Sequence, residues 1–243
     1  MTKTKHWLAW ACALALNGAA WAAPFTNGSF ESGTWDTDQA ASSGTDAGYG
    51  PWLNVNAGVA TSVNLVSGWV PVAGLDFSWH LLPTTLAAEG THAVDLNGDT
   101  AGGIEQTFDT VAGHTYRVDF AASRHFLMGG AASFTASALP AGGGAALASL
   151  AVTVPTTVGT NSSLATHWQD DVFTFTASSA STTLRFASTS ATGGLGPMID
   201  NVRVTDVTPV QPAAVPTLQA WALLGLAGVL GLLGAAGRRQ RRS

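Results

Sequence analysis

The sequence predicts an all-β domain of the sandwich or jelly-roll type, with a sorting segment at each end of the chain. Three observations support this fold class. Short period-two or β-branched runs recur about every ten residues, turn signals such as Asn97-Gly98-Asp99 separate them, and no window between the terminal segments offers a long amphipathic helix. Regularly spaced short strands within one domain are typical of a sandwich or jelly roll. The predicted strands are Val63–Val72, Thr91–Leu96, Gly103–Phe108, Thr115–Ala121, Ala131–Ser137, Leu147–Val154, Asp171–Ala177, Thr182–Ala187 and Ile199–Val204.

The N-terminal residues have the composition of a secretory signal peptide. Lys3 and Lys5 form a positive region, and an apolar run follows over residues 7–16. Ala20-Trp21-Ala22 places small residues at the −3 and −1 positions of a cut after Ala22, as signal peptidase requires. An N-terminal membrane helix is the alternative, but the apolar run is too short to cross about 30 Å of hydrocarbon. We therefore expect signal peptidase to remove residues 1–22.

The C-terminal segment predicts a transmembrane helix whose basic end faces the cytoplasm. Residues 218–237 carry no charge, and a helix of that length spans about 30 Å at about 1.5 Å per residue. Four arginines follow at once, and by the positive-inside rule they leave the bulk of the chain outside the membrane. A buried core helix is the alternative. The arginine cluster consists of Arg238, Arg239, Arg241 and Arg242.

A short motif stands at the start of this helix. Val215-Pro216-Thr217-Leu218 is followed by Trp221, and this pattern resembles the IPTL-CTERM sorting signals, with Val215 in place of isoleucine. Those signals are similar to PEP-CTERM tails, which exosortase-type membrane transpeptidases process. The resemblance implies an exosortase-like sorting protease as a partner and a helix that anchors the protein only transiently. Residues 215–243 form the predicted sorting signal, and a proline-rich linker at 208–216 precedes it.

The remaining domain, residues 23–207, is acidic and free of cysteine. It carries four arginines and all fifteen acidic residues, a formal net charge of −11, whereas the only cysteine, Cys12, lies in the signal peptide. A surface of that charge repels nucleic acid and anionic lipid headgroups, so neither is expected as a partner. The absence of cysteine excludes a disulfide, a thiolate nucleophile and a cysteine metal site in the mature domain.

Three main patches follow one another along the domain: Asn27-Gly28-Ser29-Phe30-Glu31, Gly102-Gly103-Ile104-Glu105-Gln106-Thr107-Phe108 and Gly196-Pro197-Met198-Ile199-Asp200-Asn201-Val202. In this order they resemble the choice-of-anchor C or DUF642-type extracellular modules. Those modules belong with the galactose-binding-like jelly rolls, which include many carbohydrate-binding modules. The resemblance spans residues 25–205 and implies the same fold here, whereas residues 33–62 and the stretch after Gly129 depart from the pattern.

Glu31 and Asp200 are the predicted metal-binding pair. They lie at opposite ends of the domain sequence, and in this fold the first and last strands run close together. Similar carbohydrate-binding modules often hold a structural Ca²⁺ there with carboxylate and backbone oxygens, the ligands that Ca²⁺ prefers. The alternative is that Asp200 caps a turn and Glu31 accepts a hydrogen bond from a backbone amide. Ca²⁺ is the one cofactor that the resemblance suggests.

Exposed aromatic residues beside polar ones are what a sugar-binding site needs. The apolar face of a pyranose stacks on tryptophan or tyrosine, while its hydroxyl groups bond to nearby polar side chains. Trp52, Trp79 and His80 lie in a loop-like context, whereas Trp69 in a Gly-Trp pair is expected more often in a core. The candidate ligand-binding residues are Trp52, Trp69, Asp76, Trp79, His80, Arg124 and His125.

No motif of a known catalytic class is present. The sequence has no Gly-x-Ser-x-Gly elbow, no His-Glu-x-x-His and no P-loop. The sequence therefore predicts an exported, non-catalytic surface module that binds extracellular polysaccharide, held at least transiently in the membrane before it reaches the cell surface or matrix. A structural or adhesive surface protein without a small ligand is the second interpretation, and a hydrolase is the third.

Overall fold

The computed structural model describes residues 23–158, 168–190, 193–209 and 223–230. The predicted signal peptide, the sorting motif from Val215 to Trp221 and the arginine cluster lie outside the described residues. The chain divides into two units, residues 1–208 and residues 209–243.

The first unit is built from two antiparallel sheets. One sheet has seven strands in the order β1-β2-β4-β5-β12-β7-β10, and the other has five in the order β3-β6-β11-β8-β9. The strands are β1 (Ser42–Asp46), β2 (Gly50–Asn56), β3 (Val70–Pro71), β4 (Asp76–Leu81), β5 (His92–Asp95), β6 (Gly103–Asp109), β7 (Thr115–Arg124), β8 (Ala132–Pro140), β9 (Ala148–Val154), β10 (Gln169–Thr176), β11 (Ser181–Ser188) and β12 (Pro197–Asp206).

A continuous apolar core fills the space between the two sheets. Alternate residues of the seven-stranded sheet, such as Leu53 and Phe77, pack with Ile104 and Phe186 of the five-stranded sheet. Because successive side chains of a strand point to opposite faces, the strands that face this core contribute alternate residues to it, whereas β1 contributes none. The prediction of an all-β sandwich is confirmed, and the arrangement fits a jelly roll.

The described strands match the predicted ones from β5 onward, but differ before it. The run Val63–Val72 is mostly turn, and only Val70–Pro71 forms a strand. Its apolar residues Leu65 and Val66 reach the core from that turn, which is why the run resembles a strand in composition. The sequence prediction missed β1, β2 and β4 altogether.

Apart from Pro209, the second unit is described over residues 223–230, which are helical. These residues lie within the predicted transmembrane segment 218–237, and their large side chains, Leu223, Leu224, Leu226, Val229 and Leu230, are exposed. Among the described residues, no helix has both the length and the apolar character needed to cross a membrane.

Candidate functional site

The outer face of the seven-stranded sheet, which points away from the core, carries buried polar side chains near β4. The register pairs Trp52 with His80, Asn54 with Ser78, and Ser78 with Asp95. Directly opposed residues of an antiparallel pair share one face, so these side chains lie together. Of the five, only Trp52 is partly exposed. Buried polar groups in such number need partners, and their concentration marks a site rather than a solvated surface.

Two loops close over this polar face. The Asp99 N–H donates to Asp76 Oδ2 at 2.7 Å, and the Gly196 N–H donates to Asp95 Oδ2 at 3.1 Å. Gly98 is required for the close approach, because a Cβ there would lie 2.5 Å from Asp76 Cγ. The loops around Gly98 and Gly196 are therefore held to the sheet through the carboxylates beneath them.

A cleft of about 370 Å³ opens between these loops and the first strands. One of its walls is aromatic and the remainder is mostly polar, and no lysine or arginine lines it in the described part of the chain. Its lining residues are Asp46, Trp52, Ser78, His80, Gly98, Asp99, His125, Gly194 and Leu195.

Trp52 is the aromatic wall of the cleft. It is half-buried on β2, and its indole lies across Gly44 of the neighbouring strand. A Cβ at residue 44 would come within 2.6 Å of Trp52 Cζ2, so glycine is what allows the ring to lie there. An indole that is supported on one side and lines a cleft provides a flat apolar surface for a ligand.

His80, His125 and Asp46 meet at the cleft although they are far apart in sequence. One ligand atom from each lies within 4.8 Å of the others. Burial lowers the pKa of His80 well below its usual value, and the nearby His125 ring lowers it further. Burial also lowers the pKa of His125, against the opposing effect of Asp46. Both imidazoles are therefore neutral at neutral pH.

The hydrogen bonds of His125 define its tautomer. The Leu127 N–H donates to Nδ1 at 3.2 Å, so Nδ1 carries no proton and the ring proton is on Nε2. Nε2–H then donates to Asp46 Oδ2 at 3.2 Å. Since the ring is neutral, this contact is a hydrogen bond rather than an ion pair.

The floor of the site contains a buried acid. Asp95 accepts hydrogen bonds from the N–H groups of Asn97 and Gly196, but burial outweighs them and raises the pKa of Asp95 to about 8, with Asp46 and Asp76 adding to the rise. Within the described residues, Asn54 Oδ1 and Asp76 Oδ1 are buried without a hydrogen-bond donor. A buried acceptor without a donor is costly, so each of these two oxygens needs a partner such as a water molecule or a ligand.

Arg124 belongs to the support of the site rather than to the cleft. It ends β7, and its guanidinium donates to the backbone oxygens of Met128, Thr156 (3.2 Å) and Val158 (2.6 Å). Those bonds hold the turn after His125 against residues 156–158. Arg124 was predicted to bind ligand, but it is buried and is not among the residues that line the cleft.

Trp69 and Trp79 are core residues. Each side chain is 1% exposed, and each indole N–H donates to a backbone oxygen, Trp69 to Asn27 at 2.9 Å and Trp79 to Phe30 at 3.0 Å. Neither ring offers a face to a ligand. The loop-like context assumed for Trp52, Trp79 and His80 was wrong, because the first lies in β2 and the other two lie in β4.

Glu31 and Asp200, which were predicted to lie close together, both contact the loop of residues 88–92. Asp200 Oδ2 accepts from the N–H groups of Ala88 and Glu89, each at 2.9 Å. Glu31 Oε1 accepts from the N–H groups of Thr91 and His92 at 2.7 and 2.6 Å. Together the two carboxylates hold the backbone of residues 88–92.

The oxygen atoms of this pair fit the loop backbone better than a cation. Both oxygens of Glu31 and both oxygens of Asp200 accept hydrogen bonds from the loop or from neighbouring groups, and a cation would compete with those donors for the same lone pairs. The arrangement is the hydrogen-bonding alternative of the sequence analysis. The structural Ca²⁺ at Glu31 and Asp200 stays a prediction.

A second cleft, of about 490 Å³, lies on the same sheet but is less suited to a sugar. It is lined by charged residues of β7, β10 and β12, and Arg117 is paired with Asp119 within it. Among the residues that line it, the aromatic one, Phe120, is 2% exposed. This cleft therefore lacks the exposed ring that the first cleft has.

Asp46, Ser78 and Asp99 were missed by the sequence analysis, although one signal was available. Asp76-Phe77-Ser78-Trp79-His80-Leu81 alternates polar and apolar residues over six positions, the period of a half-buried strand. Recognising that strand would have placed Ser78 and His80 on one face and Trp79 on the other. Asp46 has no comparable signal, because it is identified only by its contact with His125.

The molecule is thus a β-sandwich whose larger sheet carries a polar, aromatic-walled cleft of the kind that binds a ligand. A family model for DUF642, described as a protein of unknown function, matches residues 82–205. The chain belongs to the DUF642 family. Residues 213–242 match the IPTL-CTERM motif, so the predicted sorting motif is confirmed.

Solved carbohydrate-binding modules have similar folds. A module described as "CBM4 structure and function" is 17% identical, with 74% of this chain and 98% of that chain covered and a TM-score of 0.39. The CBM22-1 xylan-binding domain of Paenibacillus barcinonensis Xyn10C is 14% identical, over 59% and 88% of the two chains, with a TM-score of 0.42. The CBM35 of the same organism is 25% identical, over 57% and 93%, with a TM-score of 0.37. No curated protein matches the chain.

Proposed function

We propose that this chain is an exported, non-catalytic surface module that binds a carbohydrate in the cleft beside Trp52. The observation that carries the proposal is the half-buried Trp52 indole, which lines a cleft of about 370 Å³ together with polar side chains. A pyranose could stack on this ring, and its hydroxyl groups could form hydrogen bonds with Asp46, Ser78 and Asp99.

The charge of the cleft favours a neutral polysaccharide. Asp46 and Asp99 line it without a lysine or arginine among the described lining residues, and burial keeps both histidines neutral. A uronic acid or sulfated sugar would place its negative charge against these carboxylates, which is unfavourable at short range. Neutral hydroxyl groups, by contrast, can donate to the carboxylates.

The ends of the chain supply the location of the module in this proposal. Signal peptidase would release the domain after Ala22, and an exosortase-like protease would recognise the IPTL-CTERM tail at residues 213–242. The membrane helix at 218–237 then holds the protein until sorting, and display on the cell surface or in the matrix follows.

Glycan binding by Trp52→Ala tests the proposal. The full chain in a mild detergent is screened on an array of neutral and acidic polysaccharides, and the best binder is titrated calorimetrically against the wild type and the variant. Loss of the stacking surface is expected to raise Kd about tenfold or more. Trp168→Ala is the matched control, because Trp168 is also half-buried but does not line the cleft.

Two outcomes contradict the proposal. Absence of binding to every polysaccharide and to intact cell-envelope material would favour the structural or adhesive interpretation. Equal loss of affinity in Trp52→Ala and Trp168→Ala would place the ligand elsewhere on the domain.

A further inference from the structure

We propose that Asp46, His80 and His125 form a binding site for one divalent transition-metal ion at the cleft. Their ligand atoms all lie within 4.8 Å of one another. Two imidazole nitrogens and one carboxylate oxygen suit Zn²⁺ and its neighbours in the first transition row, whereas Ca²⁺ and Mg²⁺ prefer oxygen ligands only. This site is separate from the Glu31 and Asp200 pair, but it lies in the same cleft as the proposed carbohydrate site and shares Asp46 with it.

Three different segments of the fold fix the three side chains. Asp46 ends β1 at the hairpin to β2, and His80 lies within β4 opposite Trp52. His125 follows β7, and its backbone N–H donates to Gly196 O at 2.7 Å. Because each side chain comes from an ordered strand or from a hydrogen-bonded position beside one, the group is pre-organised rather than assembled on a loop.

The distances between the ligand atoms are close to those of a tetrahedral site. Ligand atoms about 2.1 Å from a tetrahedral metal lie roughly 3.4 Å from each other. Asp46 Oδ2 and His125 Nε2 are 3.2 Å apart, so a metal between them requires little movement of these two. The His80 side chain has to move further, since the distances among the three ligand atoms extend to 4.8 Å.

The protonation states are those that metal binding requires. A metal takes the lone pair of a neutral imidazole, and the burial that lowers the pKa of both histidines keeps them neutral. His80 makes no hydrogen bond through its ring within the described residues; its contact there is with the His125 ring, whose centroid is 5.3 Å away. The His80 ring lines the cleft without such a bond, so a nitrogen of this ring is available for a ligand.

Metal binding requires His125 to change its tautomer. This change costs a hydrogen bond, and it can be detected by spectroscopy. The Nε2 proton now bonded to Asp46 must move to Nδ1, and the Leu127 N–H then loses its acceptor. The ring remains neutral overall, so the change is a shift between tautomers. Three protein ligands leave a fourth position for water or for a ligand in the cleft, since Trp52 and Asp99 line the same space.

Zn²⁺ titration of the full chain tests the site. A Cys12→Ser background removes the only thiol of the chain, and the protein is stripped with a chelator before calorimetry in a mild detergent. The wild-type site is expected to bind one equivalent of Zn²⁺. His80→Gln is expected to weaken binding at least tenfold with little change in Tm, since no described hydrogen bond of the His80 ring is lost.

Matched variants separate the site from general histidine binding. His114→Gln is the control, because His114 is exposed and bonded to Asp206 at 2.6 Å in the same His–Asp arrangement; its Zn²⁺ affinity should equal that of the wild type. His125→Gln should weaken Zn²⁺ binding as His80→Gln does. If His125→Gln fails to fold, Asp46→Asn removes a ligand charge instead and should also weaken Zn²⁺ binding. In ¹⁵N spectra of the histidine rings, Zn²⁺ should convert His125 from the Nε2–H to the Nδ1–H tautomer.

The site is overturned if the wild type binds no Zn²⁺ at millimolar concentration, or if His80→Gln and Asp46→Asn both bind it as the wild type does. Because the titration contains no glycan, its failure leaves the carbohydrate proposal untouched. Absence of glycan binding by the wild type likewise leaves the metal site untouched, because the Zn²⁺ titration is read without glycan.

Discussion

Trp52 and Trp79 show how a single position along a strand decides the role of a tryptophan. Leu53 pairs with Trp79, and Trp52 pairs with His80 one position away. The first pair points into the core and the second points to the cleft, because side chains alternate across a strand. The sequence identified both tryptophans as candidates but gave no register, so it could not assign one to the core and the other to a binding wall.

Asp200 gives a prediction about pH at the scale of a single residue. Burial raises the pKa of Asp200 from 3.8 to about 7 in the folded protein, with the Glu31 charge adding to the rise. A carboxyl group whose folded pKa is raised contributes stability that is complete below its unfolded pKa and is lost as the pH rises through its folded pKa. The contribution of Asp200 to the free energy of unfolding should therefore fall between about pH 4 and pH 7.

Asp200→Asn should remove this dependence. The amide oxygen can still accept from the Ala88 and Glu89 N–H groups, but the side chain no longer titrates. In denaturant titrations from pH 4 to pH 8, the free energy of unfolding of the wild type should fall relative to that of the variant, by an amount on the order of 4 kcal/mol. A difference that stays constant with pH would show that Asp200 does not titrate in this window.

Strands β1, β2 and β4 are the elements that the sequence analysis did not find, and they carry the candidate cleft. The strands it did find alternate clearly between apolar and polar residues or are rich in β-branched ones. Asn54 and Asp76, in contrast, are polar but buried, because loops cover them on the outer face of the sheet. Polar residues in these strands therefore do not indicate exposure to solvent. Residues 33–62, which depart from the family pattern, supply both β1 and β2, and the resemblance could not place them.

The bulge in β12 gives a prediction at the scale of an element. The register with β7 shifts between Asp200 and Arg203, and Asn201 has a positive φ of 51°. The extra residue turns Val202 into the core while Asp200 faces the 88–92 loop. Asparagine tolerates this left-handed conformation, glycine adopts it freely, and alanine is strained in it.

Substitution of Asn201 should therefore separate strain from side-chain loss. Both Asn201→Gly and Asn201→Ala remove the 2.8 Å hydrogen bond from Arg203 Nε, so the comparison between them isolates the backbone. Asn201→Ala should be less stable than Asn201→Gly by about 1 kcal/mol in chemical denaturation. If Asn201→Ala were the more stable variant, residue 201 would not have to adopt a positive φ in the folded protein.

At the scale of the whole molecule, the sequence was most informative where a short motif or composition carries the signal by itself. The IPTL-CTERM tail was recognised from Val215, Pro216, Thr217, Leu218 and Trp221, and the family model matches the same segment. The proximity of Asp46, His80 and His125 could not be predicted in this way, since it depends on the folded sheet, which brings the ends of β1 and β7 close to β4. Short-range signals identify sorting segments, whereas a site built across a sheet needs the topology.

The tail yields the last prediction. If an exosortase-like protease processes residues 213–242, the surface form of the protein should lack Arg238, Arg239, Arg241 and Arg242. Intact-mass analysis of protein released from the cell surface should show a C-terminus before residue 238. A Pro216→Ala, Thr217→Ala double variant changes the motif alone and should leave the arginines attached, whereas Pro212→Ala in the linker should be processed normally. Retention of residues 238–243 on wild-type surface protein would instead make the helix a permanent anchor, because the arginine cluster would then hold the C-terminus on the cytoplasmic side.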